Sequence, residues 1–210
     1  MSLRAAGMMV ACGIAITAPR ANAQTQTGHE GHMAQMAAAP KEPAARVLTP
    51  APAIDDIPFV DQNGRATTLG EAVGSDDPVL VNFIFTTCTT ICPVMSAGMS
   101  QLLTNLAAEQ DRVRVVSISI DPENDTVQAL RAYAARYHAP PSWQFLRGTP
   151  AATEAAQRAF GSYRGGKNNH EAGTFVRSAA AAPWIALDGF SSAQTLQHAA
   201  MGHLVPTARP

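Results

Sequence analysis

The stretch from Val79 to Cys92 constrains the fold of this chain more than any other. The apolar run "VLVNFIF" (Val79 to Phe85) is continuous and rich in β-formers, which is typical of a buried central strand. It is followed at once by "TTCTTICP", which contains Cys88 and Cys92, and then by "PVMSAGMSQLLTNLAAEQ", which has helical spacing. The order predicts a strand, a turn that carries both cysteines, and a helix.

Strand and helix patterns alternate along the rest of the chain. "IPFVDQNGRATTL" alternates around Asn63 and Gly64, which favours a β-hairpin. "VRVVSISI" and "WQFLRG" are predicted strands, and "PAATEAAQRAFGSY" is a predicted helix. Asp125 precedes the helical pattern "TVQALRAYAARYH", with Gln128 at the capping-box position. These patterns predict an α/β domain with a central sheet flanked by helices and an N-terminal β-hairpin.

Size and charge limit the classes of protein to which the chain can belong. The 210 residues, 46% hydrophobic and 15% charged, provide enough apolar material for one ordinary core, and we expect one domain at residues 54–205. The formal net charge is -1, and the 15 lysines and arginines form no run. Such a chain lacks the basic field that draws proteins to phosphate backbones, which argues against nucleic acid as a partner.

The first 23 residues have the pattern of a secretory signal peptide. Arg4 precedes the apolar run "AAGMMVACGIAITA", and "ANA" supplies small residues before an expected cleavage at Gln24. The apolar run is shorter than the roughly 20 residues that a permanent membrane helix requires. We therefore expect an exported, periplasmic protein, with an uncut anchor and lipidation at Cys12 as alternatives.

Cleavage would leave Cys88 and Cys92 as the cysteines of the exported chain. A disulfide between them would close a very short loop and would add little stability, so a redox or metal-binding role is favoured. We expect Cys92 to be the helix N-cap, with Pro93 at the first helical position. The unpaired N–H groups and the positive end of the helix dipole would then stabilise a thiolate.

Two thiolates suit copper(I), and an imidazole as third ligand would allow the same site to hold copper(II). The candidates for this third ligand are His138, His170, His198 and His203. His170 lies in the Gly- and Asn-rich stretch "GGKNNHEAG", where a loop side chain can reach across the end of a sheet. His138 stands at a predicted helix end, and His198 and His203 flank Met201 near the C-terminus.

Residues 24–53 are rich in Ala, Pro, Gln and Thr and are predicted to form a flexible tether. This segment contains "HEGHMAQM", which combines imidazole with thioether groups, a mixture that suits copper in either oxidation state. The residues concerned are His29, His32, Met33 and Met36. The alternative is that they are incidental members of a linker.

Three segments resemble the Sco/SenC family: "VLVNFIFTTCTTICPVMS", "VVSISIDPENDTVQALRAYAARY" and "WQFLRG". The resemblance covers roughly Ile54 to Tyr163 and implies a thioredoxin-like fold that binds copper through a C-x-x-x-C-P motif and a distant histidine. Cys88 and Cys92 match the cysteine ligands, Asp121 matches the acidic residue after the following strand, and His170 is the counterpart of the histidine. In many members that histidine leads directly into a strand ending in an acidic residue and a glycine, whereas here an Ala-rich stretch precedes "PWIALDG".

The resemblance also implies a function. It is that of an exported copper metallochaperone, whose partner is the copper-site subunit of cytochrome c oxidase or another periplasmic copper protein. Two alternatives remain open: a thiol-disulfide oxidoreductase that reduces the cysteines of a copper-site client through Cys88 and Cys92, and a copper buffer or sensor without a delivery client. Contact with the membrane is expected only through a possible uncut N-terminal anchor.

Overall fold

A mixed β-sheet of eight strands lies at the centre of the computed structural model, which describes residues 44–74 and 76–204. The strands are β1 (Ala44–Val47), β2 (Pro58–Asp61), β3 (Ala66–Thr68), β4 (Val79–Ile84), β5 (Arg114–Ser119), β6 (Trp143–Arg147), β7 (Gly173–Arg177) and β8 (Ile185–Asp188). The helices are α1 (Leu69–Val73), α2 (Ile91–Leu106), α3 (Val127–Arg136), α4 (Pro150–Ala159) and α5 (Ala193–Ala200), with 3-10 turns at Ala107–Arg112 and Lys167–Asn169.

The sheet order is β1-β8-β7-β4-β5-β6-β2-β3. Strands β4, β5 and β6 are parallel to one another, and the remaining pairings are antiparallel. All six residues of β4 are buried, and the strand lies between β5 and β7. Apolar clusters cover both of its faces, with Leu80 and Ile84 in one cluster and Val81 and Phe83 in the other. This two-sided burial explains why β4 is a continuous apolar run without alternation.

The predicted α/β class, the central mixed sheet with flanking helices, and the N-terminal hairpin are confirmed. The hairpin consists of β2 and β3, and Gly64 lies in its turn at a φ of 86°. That backbone conformation is costly for residues with a Cβ atom, so the Asn-Gly signal identified the turn correctly. None of the helices in the two described ranges combines the length and apolar character that a membrane span needs.

The folded part of the chain begins earlier than predicted. Strand β1 lies inside the segment 24–53 that was expected to be a tether, and it pairs antiparallel with β8. Ala45 and Leu48 are buried as a result. A four-residue edge strand has little local signal, because its partner lies about 140 residues away in the sequence. The predicted signal peptide and the histidines and methionines of the tether lie outside the described residues.

The start of α3 also differs from the prediction. Its N-cap is Thr126, whose side-chain oxygen accepts a hydrogen bond from the Ala129 N–H at 3.1 Å. Asp125, the expected cap, is fully buried and has other partners. Both residues are of types that cap helices, so the local sequence alone did not distinguish them.

Candidate metal centre

The cysteine turn lies at the carboxyl end of β4, as the sequence predicted. The Cys88 N–H donates a hydrogen bond to the Phe85 carbonyl at 3.1 Å and closes the turn. Helix α2 begins at Ile91 with Thr90 as its N-cap, so Cys92 is the second helical residue and the prediction that it is the cap was wrong. Pro93 is the third helical residue, where its missing N–H costs nothing because the first four N–H groups of a helix lack helical partners.

Cys88, rather than Cys92, receives the exposed N–H groups of the helix end. The Cys92 N–H donates to Cys88 Sγ at 3.4 Å, and Thr90 Oγ1 lies 3.8 Å from the same sulfur. Both cysteines are free thiols. Cys88 retains 9% of its exposure and Cys92 none. The outer sulfur is therefore the one placed for exchange with metal or with another protein.

The surroundings shift the two thiols in opposite directions. Burial works against ionisation of Cys88, but the N–H groups of Cys92 and Thr90 outweigh it and lower the pKa of this thiol. Burial raises the pKa of Cys92 to about 12, and the neighbouring charges of Cys88 and Asp125 act in the same direction. The site thus pairs a readily ionised outer thiol with a protonated inner one.

This asymmetry predicts that iodoacetamide modifies Cys88 well before Cys92 in the folded protein. The thiolate is the reacting species, so the rate for Cys88 should rise with pH and level off below the ordinary thiol pKa of about 8.5. Peptide mass spectrometry after timed quenching measures both sites. In Cys88→Ser, labelling of Cys92 should remain slow until the protein is denatured. Equal rates for the two cysteines in the folded wild type would contradict the assignment.

Asp125 accepts hydrogen bonds that hold the start of the cysteine turn in place, a role that the sequence reasoning missed. Its carboxylate accepts hydrogen bonds from the Thr86 N–H at 3.1 Å and the Thr86 hydroxyl at 2.5 Å. The other carboxylate oxygen accepts from the Ser119 hydroxyl at 2.6 Å. One buried side chain thereby connects the end of β4, the end of β5 and the start of α3.

Asp125→Ala should lower the free energy of unfolding by about 2 to 4 kcal/mol, because it leaves the buried Ser119 hydroxyl and the half-buried N–H and hydroxyl of Thr86 without partners. Chemical denaturation of the metal-free protein measures the change. Glu123→Ala, which removes an exposed carboxylate two residues away, is the matched control and should change stability by less than about 0.5 kcal/mol. A similar small effect for both variants would show that the buried network adds no stability.

The pairing of β7 with β4 determines where His170 lies. His170 ends the 3-10 turn Lys167–Asn169 and precedes β7 by three residues. Because β7 runs antiparallel to β4, with Thr174 opposite Asn82, its first residue lies at the carboxyl end of β4 beside the cysteine turn. The Ala-rich stretch after Arg177 connects β7 to β8 at the opposite end of the strand. The departure from the family pattern is therefore remote from His170.

Cys88 and His170 line the same cleft, which has a volume of about 220 Å³. Its other lining residues are Phe85, Thr87, Thr89, Thr90, Ile91, Lys167 and Asn168. Cys92 lies beneath this surface. Within residues 44–74 and 76–204, no three His, Cys, Asp or Glu side chains lie close enough together to hold a metal ion as they stand. Of the three predicted ligands, the fold therefore brings Cys88 and His170 to one cleft.

The surroundings of the His170 ring suit it to bind a metal ion. Its side chain is only 9% exposed, and neither ring nitrogen makes a hydrogen bond of good geometry in the described part of the chain, although the Phe83 carbonyl lies near enough to the ring to act on its pKa. Burial lowers the pKa of the imidazole, against the opposing influence of the Phe83 carbonyl and the Glu171 carboxylate. The neutral ring keeps the lone pair that binds a metal. Buried polar atoms are seldom left unpaired, and two thiols with one neutral imidazole suit copper.

An ion pair fastens the His170 loop to the end of β5. Lys167 Nζ contacts the carboxylate of Asp121, which also accepts hydrogen bonds from Asn124 Nδ2 at 2.9 and 3.0 Å. Lys167 lies 5.7 Å from the centre of the Phe85 ring, next to the cysteine turn. Asp121 thus holds the segment that carries His170.

The other three candidate histidines lie elsewhere, and none lines the cleft of Cys88 and His170. His138 is exposed at the end of α3, with a φ of 51°. His198 and His203 are exposed at the end of α5, with ring centres 6.4 Å apart. Of the four, the fold places His170 alone beside the cysteines.

The family model described as SCO1/SenC matches residues 49–188, two thirds of the chain. This chain is a member of the SCO1/SenC family. The SCO1 protein homolog of Bacillus subtilis is 41% identical to it over 96 residues, which cover 45% of this chain and 49% of the relative. The chain spans about half or less of the length of the curated relatives that it matches.

Solved Sco structures share the fold. Yeast Sco1 with copper bound has a TM-score of 0.61 at 19% identity, and the match covers 74% of this chain and 91% of the yeast structure. BsSco, a member of the Sco family of cytochrome c oxidase assembly proteins in which a disulfide switch has been identified, has a TM-score of 0.54 at 30% identity. That match covers 66% of this chain and 86% of BsSco. The fold of this Sco protein is thioredoxin-like, as expected from the sequence.

Proposed function

We propose that this Sco protein is an exported copper metallochaperone that binds copper through Cys88, Cys92 and His170. The observation that carries the proposal is the buried imidazole of His170, without a hydrogen bond of good geometry, in the cleft that contains the more acidic thiol, Cys88. Yeast Sco1, which shares the fold, has been solved with copper bound. The proposed location is the periplasm, on the strength of the leader pattern in residues 1–23.

The two cysteines have different roles in the uptake and release of copper. Cys88 is ionised first and lies at the surface of the cleft, so it makes the first bond to an incoming ion. Cys92 must lose a proton from a thiol of pKa about 12 to become the second ligand, and that proton is released when the second bond to copper forms. Release reverses the order, because reprotonation of Cys92 weakens the hold on the ion and leaves it on the accessible sulfur.

The proposed recipient is the binuclear copper centre of cytochrome c oxidase, since BsSco belongs to a family of assembly proteins for that enzyme. The test mixes the copper-loaded protein with the soluble copper domain of the oxidase in its metal-free, reduced form, and separates the two before metal analysis. We expect copper in the oxidase domain. Retention of all copper by the Sco protein would favour a copper buffer or sensor. Cys88→Ser with Cys92→Ser, treated in the same way, is the control for adventitious transfer.

A second candidate function is thiol-disulfide exchange with a copper-site client, favoured by the opposite pKa shifts of Cys88 and Cys92. The Cys88 thiolate would attack the client disulfide and release one client thiolate. Cys92 would then displace the second client thiolate, which leaves a Cys88–Cys92 disulfide and a reduced client after two electrons have moved. Cys92→Ser should trap the mixed disulfide, and its absence on a non-reducing gel would count against this activity.

The histidine and methionine tract before the domain predicts one additional, weaker copper equivalent in the full chain. A shortened chain should begin at Glu42 rather than at Ile54, because β1 belongs to the sheet. It should keep the cysteine site and bind one weak equivalent fewer than the full chain, as measured by copper titration. His29→Ala with His32→Ala in the full chain should cause the same loss. An unchanged stoichiometry in both would identify the tract as a linker.

A further inference from the structure

The end of α5 has a backbone geometry that sets two histidines side by side. The His203 N–H donates to the His198 carbonyl at 2.9 Å, and the Gly202 N–H donates to the Ala199 carbonyl at 3.1 Å. Gly202 has a φ of 72°, which a glycine adopts at no steric cost. This hydrogen-bond pattern is a Schellman motif, which commonly brings two apolar side chains into contact across the helix end. Here both of those positions are histidines.

The imidazole rings of His198 and His203 are close enough to share a metal ion after a small rotation. Their centres lie 6.4 Å apart with an angle of 60° between the planes. A metal–nitrogen bond of about 2.0 Å places the rings of two histidines on one ion about 5 to 6 Å apart. Both side chains are exposed, and in the described part of the chain neither ring hydrogen-bonds to another residue.

Met201 offers a third donor of a type that favours copper. It follows His198 by three residues, which places both on one face of the helix end, and its side chain is 37% exposed. It also lines a cleft of about 310 Å³ together with three acidic residues and Arg112. The acidic residues are Asp76, Asp77 and Glu109. They lie near the end of α5, although neither His198 nor His203 lines this cleft, and together with the carbonyl groups at the helix C-terminus they favour a cation on this side of the protein.

This cluster lies at the other end of the sheet from the cysteine turn. The cleft that Met201 lines also includes Pro78, directly before β4, and Ser178, directly after β7. The cysteine turn follows the opposite end of β4, and the six residues of that strand span about 20 Å. A metal held here would therefore be a second ion, independent of Cys88, Cys92 and His170.

We propose that His198 and His203 form a second copper site, with the Met201 thioether as an additional ligand. Imidazole binds copper, nickel and zinc, and the thioether favours copper(I) among them. The site is open to solvent, so it is suited to capture of an ion from a donor or from the medium. The proposal stands whether or not the cysteine site performs the function inferred above.

The test uses the full chain with Cys12→Ser, Cys88→Ser, Cys92→Ser, His29→Ala, His32→Ala and His170→Ala, so that every cysteine, the imidazole of the cysteine site and the imidazoles of the tether are absent. Copper(II) is added at less than one equivalent, and its paramagnetic broadening of the histidine ring protons is followed by NMR. The signals of His198 and His203 should broaden together, before that of His138. Replacing either one by alanine should lower copper affinity by at least about tenfold, because one of two imidazole ligands is lost.

The coupling of the two histidines decides the outcome. If they hold one ion, His198→Ala removes the broadening of His203, and His203→Ala removes that of His198. Independent broadening of each ring, or equal broadening of the isolated and exposed His138, would overturn the shared site. Met201→Leu, read out with copper(I) and a competing chelator, should weaken binding of that ion more than binding of zinc. Equal losses of affinity for the two ions would show that the Met201 thioether is not a ligand.

Discussion

Replacement of either Cys88 or Cys92 by serine should lower copper(I) affinity by more than about 100-fold. Loss of groups that merely orient a ligand already costs about 10- to 100-fold, and here a ligand itself is removed. A serine hydroxyl is a hard, neutral donor and is a poor replacement for a thiolate on a soft ion. The two variants should lose similar affinity, although Cys92 is the more deeply buried residue, because two-sulfur coordination needs both.

Titration of copper(I) against a competing chelator measures this loss. In the uncleaved chain, Cys12→Ser is the matched control, since it removes the third cysteine from outside the predicted site and should leave affinity unchanged. Thermal unfolding of each metal-free variant checks that the fold is retained. Wild-type affinity in either Cys88→Ser or Cys92→Ser would refute copper binding by the C-x-x-x-C motif.

The same titration should depend steeply on pH. Each thiol that becomes a ligand releases its proton, so affinity rises with pH as long as that thiol is protonated in the free protein. Cys92, with a pKa of about 12, contributes this dependence across the whole neutral range. Cys88, with its lowered pKa, stops contributing at lower pH. The slope should be between about one and two log units of affinity per pH unit and should flatten towards one as pH rises.

His170→Ala should affect the two oxidation states of copper unequally. Copper(I) is satisfied by two sulfur ligands, so its affinity should change little. Copper(II) held by two thiolates without the harder imidazole donor would tend to oxidise them. The variant should therefore lose the thiolate-to-copper(II) charge-transfer absorption, or its copper(II) form should decay to a Cys88–Cys92 disulfide and copper(I). Each disulfide releases two electrons and reduces two copper(II) ions, the one at its own site and one held by a second protein molecule, so one disulfide should form for every two copper(II) ions reduced.

Absorption spectra recorded over time, together with a thiol assay, follow this decay. His138→Ala, His198→Ala and His203→Ala are the controls, because each removes an exposed histidine that lies outside the cysteine cleft. They should retain the spectrum and its lifetime. An intact copper(II) spectrum in His170→Ala, together with its loss in one of the controls, would show that another histidine is the third ligand.

Local patterns in the sequence were sufficient for most of the elements around the site. The continuous apolar run of β4, the cysteine turn and the helical spacing of α2 predicted their order correctly. The pair Asn63 and Gly64 located the hairpin turn. These features are readable because periodicity and turn preference act between residues that are close in the chain. The two cysteines were also identified from the sequence as candidate site residues, because thiolates bind soft metal ions and exchange with disulfides.

Contacts between distant parts of the chain decided the rest. Strand β1 forms because it pairs with β8 at the edge of the sheet. His170 reaches the cysteine cleft because β7 pairs with β4 in the antiparallel sense. Asp125 turns away from the helix that it precedes because Thr86, 39 residues earlier, supplies two half-buried donors. Local preference cannot report such pairings, since a buried hydrogen bond or a strand edge gains its free energy only after the sheet has assembled.

The division of roles between the two cysteines is likewise tertiary. By sequence, Cys92 is the expected helix N-cap, and the helix end is expected to stabilise a thiolate without distinguishing the two sulfurs. In the folded protein the turn places Cys88 Sγ over the first N–H groups of α2, while Cys92 enters the core and its pKa rises. The sequence by itself determined which atoms are available for chemistry, and the burial and hydrogen bonding of each sulfur determined which one ionises first. Those surroundings exist only when β4, α2 and the Asp125 network have come together.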